Sequence, residues 1–582
     1  MTRNFYLVVL ALISFIGPLS AGTARADTLQ QTQSFRVNSF YDNAGASSIQ
    51  ATLRAVGAKG YFYVDDRYWS FLTLDQQTQF MRALEVLSQQ FDEAIYPLSV
   101  QTWGSEATPG VDNDARVVIL LQRLIAGSGG YFETIHNYSK ERAPDGNARE
   151  MIFVSAESVL SGTARTFIAH EFQHLISFFQ RELTLRAPDD VWLNESRSEY
   201  NVTVVGYSMP FEGSTLQRRQ QSFLRNSSDS LTDWPNTASD YAVASLFAHY
   251  LVDRFGVGIL ASTTRMTSAG AAAIDSWLTT HVSRRFPDVF VDWMLATFLN
   301  DRSLESAYGY TSAGLTSFRV QPTVKGQLNV ANEQVVFAGS LKEWQPIWTQ
   351  ADVNLGGVSV ASAQVSILGA SDVVWNGAIV AAYRSGATHI IRVASNNGSA
   401  IASVPLRMLG SELYSLGAMV AHGRIDSVAN RAILDRSVTI SLALGEQRVP
   451  LTAPATALPV SSDTQFTPVT DGDLIRRIGQ EEIYVVWGTY RRFLTRKILE
   501  LYGFENRPVR EVADDVFFRY NASIYIRAQN AKQVFAVWPD GTKHWFDITA
   551  AQWDASGRDW GAIFTVNDAE VAAYELGASI TR

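Results

Sequence analysis

His170-Glu171-Phe172-Gln173-His174 is the most informative stretch of this chain, and Asn194-Glu195-Ser196-Arg197-Ser198-Glu199 follows it at short range. On a helix, positions i and i+4 lie one above the other on the same face, so His170 and His174 can hold one metal ion. Glu171 follows the first histidine directly and can reach the open side of that ion, where a water would sit. With a carboxylate from the second stretch, the spacing predicts a zinc site with three protein ligands and a general base, as metal-assisted peptide hydrolysis requires.

The first stretch has the pattern of a helix. Apolar residues recur at helical spacing between residues 168 and 179, and nothing between residues 166 and 180 breaks the pattern. The pattern therefore predicts one helix that carries both histidines on one face. An alternative is an ordinary amphipathic helix whose two histidines lie in the core or in solvent.

The second stretch is also predicted to be helical. Residues 186–190 have the composition of a loop, and residues 192–205 resume a helical pattern for which Asp189 or Asp190 is the N-cap. On this helix Glu195 and Glu199 are again i and i+4. One of them can bind the metal, while the other can accept the free ring N–H of a ligand histidine and fix its tautomer.

These stretches resemble the motifs of the gluzincin metallopeptidases, most closely the secreted bacterial hyicolysin family and more distantly thermolysin. The similarity covers roughly residues 55–300. The other similar stretches are Lys59-Gly60-Tyr61-Phe62-Tyr63-Val64, Gly129-Gly130-Tyr131-Phe132, Asp240-Tyr241 and Asp253-Arg254-Phe255-Gly256. The resemblance implies that His170, His174 and Glu195 bind zinc. It also implies that Glu171 is the general base and that Glu199 is the partner of a ligand histidine.

The resemblance has one departure and leaves one role open. Where the family has Gly-Leu after its Asn-Glu pair, this chain has Ser196 and Arg197, which predicts an arginine near the metal-binding carboxylates. Related enzymes stabilise the oxyanion of the reaction with a Tyr or a His, and losing such a donor typically costs about 10²–10³ in rate. Tyr241 is the first choice for this role, and His249 and Tyr207 are the alternatives.

The first 26 residues have the features of a secretory signal. Arg3 supplies the positive charge, residues 5–16 form a short apolar run, and Ala24-Arg25-Ala26 is a cleavage site that places the mature start near Asp27. The apolar run is too short for a good membrane span. The sequence therefore predicts a secreted, extracellular protein.

The composition excludes several classes of protein. The 582 residues include no cysteine, which rules out a lipoprotein anchor and a disulfide framework. A net charge of −9 without a basic block argues against nucleic acid and against an anionic membrane surface as partners. No later stretch is long and apolar enough to span a membrane. Calcium is left open at Asp112-Asn113-Asp114, for which a plain turn is the other interpretation.

The predicted fold class is α+β, with a gluzincin, thermolysin-like catalytic domain, a β-sandwich-like domain and two small C-terminal α/β repeat modules. The predicted boundaries are residues 1–26 for the signal, 27–318 for the catalytic domain, 319–450 for the β-sandwich-like domain, 451–471 for a linker and 472–582 for the repeats. In the catalytic domain, strands are predicted at residues 60–64, 115–121, 131–133 and 151–154, and helices at 74–95, 241–255, 271–282 and 286–300. The strand at 131–133 is expected at the sheet edge beside the cleft.

The C-terminal half differs in character from the first. Short runs of Val, Ile, Ser, Thr and Gly with frequent turns indicate the sandwich, in which His389 and His422 have no motif partners and are interpreted as ordinary polar residues. The repeat has a period of about 53 residues. Its matching pairs are Val485-Val486-Trp487 with Ala536-Val537-Trp538, Arg491-Arg492-Phe493 with His544-Trp545-Phe546, and Val512-Ala513-Asp514 with Val566-Asn567-Asp568. The repeat aromatics are either core residues of two packed modules or exposed groups that attach the protein to a glycan or a cell surface.

Together these patterns predict a secreted zinc-dependent endopeptidase that acts on polypeptides. A rival hypothesis is a non-catalytic surface or adhesion protein on a degenerate peptidase scaffold, which the β-rich half and the repeats would suit. Retention of Glu171 counts against that rival, because a structural zinc site has no use for this carboxylate. A third hypothesis is a zinc hydrolase that acts on something other than peptides.

Overall fold

The protein is described by a computed structural model that covers residues 26–581, with gaps at 330–332, 355–361, 396, 409–410, 430, 446–468, 470, 479, 505–506, 518, 529–530, 539–540 and 557. The predicted signal and most of the predicted linker lie outside the described residues. The described chain is mixed α and β structure with several separate sheets. This confirms the fold class in its coarse form.

The first sheet has six strands in the order β1-β2-β3-β4-β6-β5. The strands are β1 (Thr32–Arg36), β2 (Ser48–Val56), β3 (Gly60–Asp65), β4 (Val117–Gln122), β5 (Gly130–Tyr131) and β6 (Met151–Ser155). The three central strands β3, β4 and β6 are parallel and buried along their whole length, which is why they consist of unbroken apolar runs. The predicted edge strand is shorter than expected, because the ladder of β5 ends at Tyr131.

Helices cover this sheet and extend beyond it. They are α1 (Asp66–Phe71), α2 (Leu74–Gln90), α3 (Tyr96–Trp103), α4 (Glu157–Leu160), α5 (Ala164–Ser177), α6 (Val191–Val204), α7 (Thr215–Arg225), α8 (Ala238–Phe255), α9 (Gly258–Ala261), α10 (Gly270–Val282) and α11 (Phe286–Leu299). The predicted helices are confirmed, except that α2 and α5 change to π-helical turns at Phe91–Ile95 and Phe178–Leu185. In the part of the chain described, no single helix has the length and hydropathy of a membrane span, although Ala238–Phe255 and Gly258–Arg265, bent by 113°, pass that test jointly.

Two further sheets follow. Their strands are β7 (Val324–Leu328), β8 (Gln334–Lys342), β9 (Ile347–Val353), β10 (Ser362–Gly369), β11 (Trp375–Tyr383), β12 (Thr388–Ala394), β13 (Ser399–Pro405), β14 (Arg407–Met408), β15 (Ser411–His422) and β16 (Asp435–Leu444). The orders are β13-β10-β16-β8 and β12-β11-β15-β9-β7, and both sheets contribute to one hydrophobic cluster. The second of these sheets packs on the helices, because the indole N–H of Trp348 in β9 donates to the carbonyl oxygen of Met294 in α11 at 3.2 Å. In the turn before β9, the centroid of the Trp344 ring lies 4.6 Å from that of Phe286 and 5.1 Å from that of Phe290. The β-rich region and the helical region therefore share apolar packing.

The C-terminal region consists of the same unit twice. Its elements are β17 (Leu474–Arg477), β18 (Ile483–Trp487), β19 (Tyr490–Leu494), α12 (Arg496–Leu501), β20 (Val509–Val512), α13 (Asp514–Phe517), β21 (Asn521–Ser523), β22 (Tyr525–Ala528), β23 (Val534–Val537), β24 (Thr542–Trp545), α14 (Ala550–Ala555), β25 (Phe564–Val566), α15 (Asp568–Ala573) and β26 (Glu575–Leu576). The sheet orders β20-β17-β18-β19-β21 and β25-β22-β23-β24-β26 correspond strand for strand, so the two units have the same topology. Its aromatics divide between the two interpretations: Trp553 is buried, whereas Trp487 and Trp538 are 59% and 44% exposed.

Candidate metal centre

The helix α5 is held by its apolar face. Ile168, Phe172, Leu175 and Ile176 are buried, and the Phe172 ring stacks on Tyr96 of α3 with centroids 5.4 Å apart. The predicted apolar stripe of this helix is therefore confirmed. Because the stripe faces the core, the histidines on the other side of α5 face α6.

The helix α6 is locked to α5 by a buried asparagine that the motif analysis did not single out. The Asn201 side chain donates to the carbonyl oxygen of Ala169 at 2.7 Å and accepts from the indole N–H of Trp103 at 2.8 Å. Both bonds are buried, so they are shielded from water and hold the two helices at a fixed separation. This contact determines how close the carboxylates of α6 come to the histidines of α5.

Three side chains converge at the crossing of α5 and α6. The Nε2 atoms of His170 and His174 are 3.2 Å apart, and the Glu195 Oε2 atom lies 3.1 Å from the first and 3.5 Å from the second. Among the described residues this is the one group of three or more potential His, Asp or Glu ligands whose donor atoms come this close together. The structure thus brings together the three residues that the resemblance implied.

The triangle has the dimensions of a zinc site. Ligand atoms about 2.0–2.1 Å from a tetrahedral zinc are separated by about 3.3 Å, which matches the three observed distances. The Glu195 Oε2 atom is buried and has no hydrogen-bond partner among the described groups. A buried acceptor without a donor is costly, and a cation between the three atoms would satisfy it. The residues therefore fit a metal ion.

The far ring nitrogens of the histidines are also held. The His174 Nδ1 atom lies 3.2 Å from Oδ1 of Asn194 and 3.1 Å from the Ser198 hydroxyl, and the His170 Nδ1 atom lies 3.4 Å from Oε1 of Glu199. An acceptor at Nδ1 favours the tautomer that leaves the Nε2 lone pair free for a metal. Glu199 therefore lies where the resemblance predicted it. Asn194 and Ser198 belong to the same stretch, but their role was not predicted.

Arg219 of α7 is a further member of the site. Its guanidinium makes two hydrogen bonds to the Glu199 carboxylate, at 2.8 and 2.6 Å, and its charged end lies 4.8 Å from the centre of the Tyr241 ring. Burial alone would raise the pKa of Glu199, but Arg219 and the nearby His170 hold it below its usual value. Arg219 is in a helix with no recognisable motif, so the sequence carried no signal for it.

The environment of Glu171 differs from that of the other two glutamates. Burial, with the nearby charges of Glu195 and Glu199, raises the pKa of Glu171 to about 8, although His174 opposes the shift. The Glu171 side chain lies so close to Gly130 that no larger residue fits there, because a Cβ at this position would lie 2.9 Å from both Cγ and Oε1 of Glu171. By contrast, burial is outweighed at Glu195 by His174 and His170, which lower its pKa strongly. The protein thus gives adjacent carboxyl groups different proton affinities, an arrangement common at catalytic sites.

Tyr241 lies beside the same group. Its ring centroid is 6.4 Å from that of His170, and its hydroxyl donates to Oδ1 of Asn236 at 2.9 Å. Burial, followed by the charges of Glu195 and Glu171, raises its pKa far above the usual range. Tyr241 is therefore a protonated donor near the histidines, on the wall of the site formed by α8.

One predicted detail of α6 is wrong, and another is confirmed in its position alone. Arg197 does not lie near the metal-binding carboxylates; it is buried on the other side of the helix, where it pairs with Asp189 and donates to the Thr263 hydroxyl at 3.0 Å. Asp190 occupies the N-cap position, but its side chain makes no capping bond. Its carboxylate instead accepts hydrogen bonds from Ser427 and from the backbone N–H groups of residues 428 and 429. Tertiary partners have replaced the local ones in both cases.

The two alternative oxyanion donors, His249 and Tyr207, are engaged elsewhere than at the triangle of His170, His174 and Glu195. His249 is buried, with Nδ1 2.8 Å from the carbonyl oxygen of Ser245 and Nε2 3.0 Å from the Thr203 hydroxyl, so neither ring nitrogen is available to a substrate. The Tyr207 ring lies under the guanidinium of Arg165, 4.7 Å away, at the opposite end of α5 from His174.

The remaining candidates make ordinary polar contacts. Asp112 pairs with Arg149 at 3.0 Å, and Asp114 accepts from the Tyr61 hydroxyl at 2.8 Å. In the β-rich region the His422 Nε2 atom lies 2.8 Å from the carbonyl oxygen of Leu341. Asp112 and Asp114 belong to no group of three close potential ligands among the described residues.

Comparisons with known proteins add little. No protein-family model and no curated protein matches the chain. Among solved structures, the periplasmic inhibitor of g-type lysozyme from Aeromonas hydrophila, PliG, is 13% identical over 21% of this chain and 97% of its own, with a TM-score of 0.14. A likeness this weak carries no argument about fold or function. The resemblance to the gluzincins accordingly rests on the stretches of sequence quoted above alone.

Proposed function

We propose that this chain is a secreted zinc-dependent endopeptidase with a gluzincin-type catalytic domain. The observation that carries the proposal is the triangle of His170, His174 and Glu195, whose donor atoms have zinc-like separations, with the buried carboxyl of Glu171 beside it. A purely structural metal site would need the first three residues and would gain nothing from the fourth. The proposed domain is residues 27–318.

The proposed chemistry divides between the metal and the chain. When bound, zinc supplies a Lewis acid for the scissile carbonyl, makes a water acidic near neutral pH and adds positive charge that lowers the pKa of a neighbouring carboxyl group. Glu171 then accepts a proton from the attacking water and passes it to the nitrogen of the leaving amine. Tyr241 turns its hydroxyl from Asn236 to the developing oxyanion and donates its hydrogen bond there, without transferring the proton.

The residues around the triangle serve to orient it. Asn194 and Ser198 hold His174, and Glu199 with Arg219 holds His170, so the two rings cannot rotate independently. Such outer partners typically contribute about 10–100-fold to metal affinity or activity. Their presence supports a site organised for a metal ion over a chance pair of histidines.

A second candidate function is attachment to a glycan or a cell surface by the repeats. It is favoured by Trp487 and Trp538, which occupy equivalent hairpins of the two units and are both exposed. Exposed tryptophan faces are suited to stacking on sugar rings. In this proposal the repeats hold the enzyme near its substrate; in the rival hypothesis of an adhesin, attachment is the whole function.

The test is hydrolysis of casein by the purified full chain, with and without a chelator, alongside metal analysis. We expect about one zinc per chain and hydrolysis that the chelator abolishes and zinc restores. Glu171→Gln should keep its zinc and lose nearly all hydrolysis, because an amide cannot accept the proton of water. His174→Ala should lose zinc as well.

The matched control is Glu182→Gln, the same chemical change on an exposed residue of the turn that extends α5. It should hydrolyse casein like the unmodified protein. An active Glu171→Gln protein would refute the assigned base, and full zinc content in His174→Ala would refute the ligands. Zinc binding without any hydrolysis would favour the adhesin.

A further inference from the structure

Residues 228–237, the wall segment, lead into α8 and contact Tyr241. The Trp234 ring meets the Tyr241 ring edge to face at a centroid distance of 5.2 Å, and Oδ1 of Asn236 accepts from the Tyr241 hydroxyl at 2.9 Å. Tyr241 is in the first turn of α8, where no earlier turn of the helix supports it. The orientation of this ring, 6.4 Å from that of His170, therefore depends on the wall segment as well as on α8.

The wall segment is itself bound to the β-rich region. The hydroxyl groups of Ser230 and Thr232 both donate to the carbonyl oxygen of Glu343, at 2.6 and 3.1 Å, and all three residues are buried. The backbone N–H of Leu231 donates to the carbonyl oxygen of Trp344 at 3.0 Å. Three consecutive residues of the wall segment are thus hydrogen-bonded to the turn between β8 and β9.

Two more contacts reach the wall segment from the same part of the β-rich region. The Gln345 side chain donates to the carbonyl oxygen of Ser228 at 2.8 Å, and the Lys342 ammonium group pairs with Asp233. Asp233 immediately precedes Trp234. The ion pair therefore fixes the chain next to the ring that the wall segment places against α8.

The turn between β8 and β9 is held firmly by its own domain. The Glu343 carboxylate is fully buried and pairs with Arg424 at 3.0 Å and with Arg431 at 2.6 Å. The backbone N–H of Trp344 donates to the carbonyl oxygen of His422 at 2.6 Å. A buried carboxylate is costly without its partners, so the turn keeps one position. The wall segment therefore takes its position from the β-rich region.

We propose that the β-rich region positions the oxyanion donor Tyr241 through the wall segment. The residues that connect the two are Ser230, Thr232 and Lys342, and they act through Trp234. This inference rests on the function proposed above, in which Tyr241 binds the oxyanion. A displacement of about 1 Å at a catalytic group can lower a rate by about 10²-fold. Freeing the wall segment removes the support of the Tyr241 ring on that side.

Lys342→Met tests the inference from the side of the β-rich region. The Lys342 side chain is 48% exposed, so the full chain should fold and bind zinc without it. With a peptide substrate, we expect kcat to fall about 3-fold and KM to stay nearly unchanged, because the oxyanion exists only in the transition state. Lys325→Met is the matched control, since Lys325 makes a similar exposed ion pair with Asp352, at 3.2 Å, inside the β-rich region. This control should leave kcat unchanged.

The combined variant Ser230→Ala/Thr232→Val removes the two buried hydrogen bonds to the turn. It should lower kcat by about 10-fold to 100-fold. Its control, Thr297→Val/Thr349→Val, removes two other buried hydroxyl groups that each donate to a carbonyl oxygen at 3.0 Å. The control should lower the stability of the fold and leave kcat unchanged.

The comparison that separates positioning from a general loss of stability is made in Tyr241→Phe, which lacks the donor. In that background neither Lys342→Met nor the combined variant should lower kcat further, because the group that they position is gone. A merely structural contact would lower kcat by the same factor in both backgrounds.

Hydrogen exchange gives a readout that needs no peptidase activity. In the combined variant, the backbone amides of residues 240–244 near the start of α8 should exchange about 10-fold faster than in the unmodified protein, because the wall segment no longer supports this end of the helix. The amides of the same residues should exchange at the unmodified rate in Thr297→Val/Thr349→Val.

The outcomes separate the two proposals. Faster exchange in a protein that hydrolyses no peptide would refute the peptidase and leave the wall segment as the support of Tyr241. Equal exchange rates in the combined variant and its control would overturn the inference, whatever the activity. Peptide hydrolysis with the same kcat in each variant and its control would overturn it as well and leave the peptidase standing. So would a fall in kcat that is the same in Tyr241→Phe.

Discussion

Arg219 gives the sharpest test of how the centre is supported. Its two hydrogen bonds reach a Glu199 side chain that is only 2% exposed, while the Arg219 side chain is 23% exposed. Removing one partner of a fully buried ion pair costs about 3–5 kcal/mol, because the other charge is left without compensation. Since water reaches Arg219 in part, we expect Arg219→Met to lower the free energy of unfolding of the metal-free protein by about 3 kcal/mol at pH 7.

A double-mutant cycle isolates the pair. Glu199→Gln removes the buried charge, so Arg219→Met should cost about 2 kcal/mol less in that background than in the unmodified protein. Because Glu199 orients His170, both single variants should also weaken zinc binding by about 10–100-fold, measured by competition with a chromophoric chelator. A loss for Glu199→Gln as large as that for Glu195→Gln would make Glu199 the ligand instead.

Arg218→Met is the matched control, because Arg218 is the preceding residue of α7, is exposed, and donates to Gly213 and Thr215 near the surface. This variant should change the unfolding free energy and the zinc affinity little. Equal unfolding free energies and equal zinc affinities for Arg218→Met and Arg219→Met would refute the reasoning. So would a coupling energy near zero.

Three further predictions follow from other parts of the structure. Burial raises the pKa of Glu150 to about 7, so the folded protein favours the protonated acid, and the stability that this proton contributes is lost as the pH rises through 7. Urea unfolding should therefore show a fall in unfolding free energy between pH 5 and pH 8, and Glu150→Gln should make that fall about 3 kcal/mol smaller. The same dependence on pH in both proteins would contradict this. Asp190→Ala leaves the donors of residues 427–429 without their acceptor and should cost about 2–4 kcal/mol in unfolding free energy, whereas a cost below 1 kcal/mol would show that water replaces it. Replacing Trp487 and Trp538 by Ala should abolish retention on cell-wall or glycan material in a pull-down and leave casein hydrolysis unchanged; unchanged retention would make these aromatics structural.

Much of the local structure could be predicted from the sequence. The spacing of His170 and His174 needs only a helix to bring them together, and the apolar stripe of that helix is a local periodic signal. The same holds for the buried central strands of the first sheet, which are unbroken apolar runs, and for the C-terminal repeat, in which one pattern occurs twice. The helix and the strands depend on residues that are close in sequence. The repeat is visible because one part of the sequence resembles another.

The differences from prediction lie where a distant residue competes with a local partner. Asp190 is the N-cap residue of α6 as predicted, but donors of residues 427–429 hold its carboxylate in place of the helix N–H groups. Arg197 is beside Glu195 and Ser196 in sequence, yet its place on the far side of α6 pairs it with Asp189. Sequence proximity says nothing about the face of a helix unless the packing of that helix is known.

The chain alone thus determines which chemical groups are present and which of them one helix can align. Only the tertiary structure decides that Glu199 is paired with Arg219 and that Asn201 fixes the distance between the two helices. The reason is physical. A helix or strand follows from interactions between near neighbours, whereas the charge, burial and orientation of a site depend on side chains brought together by the packing of distant segments.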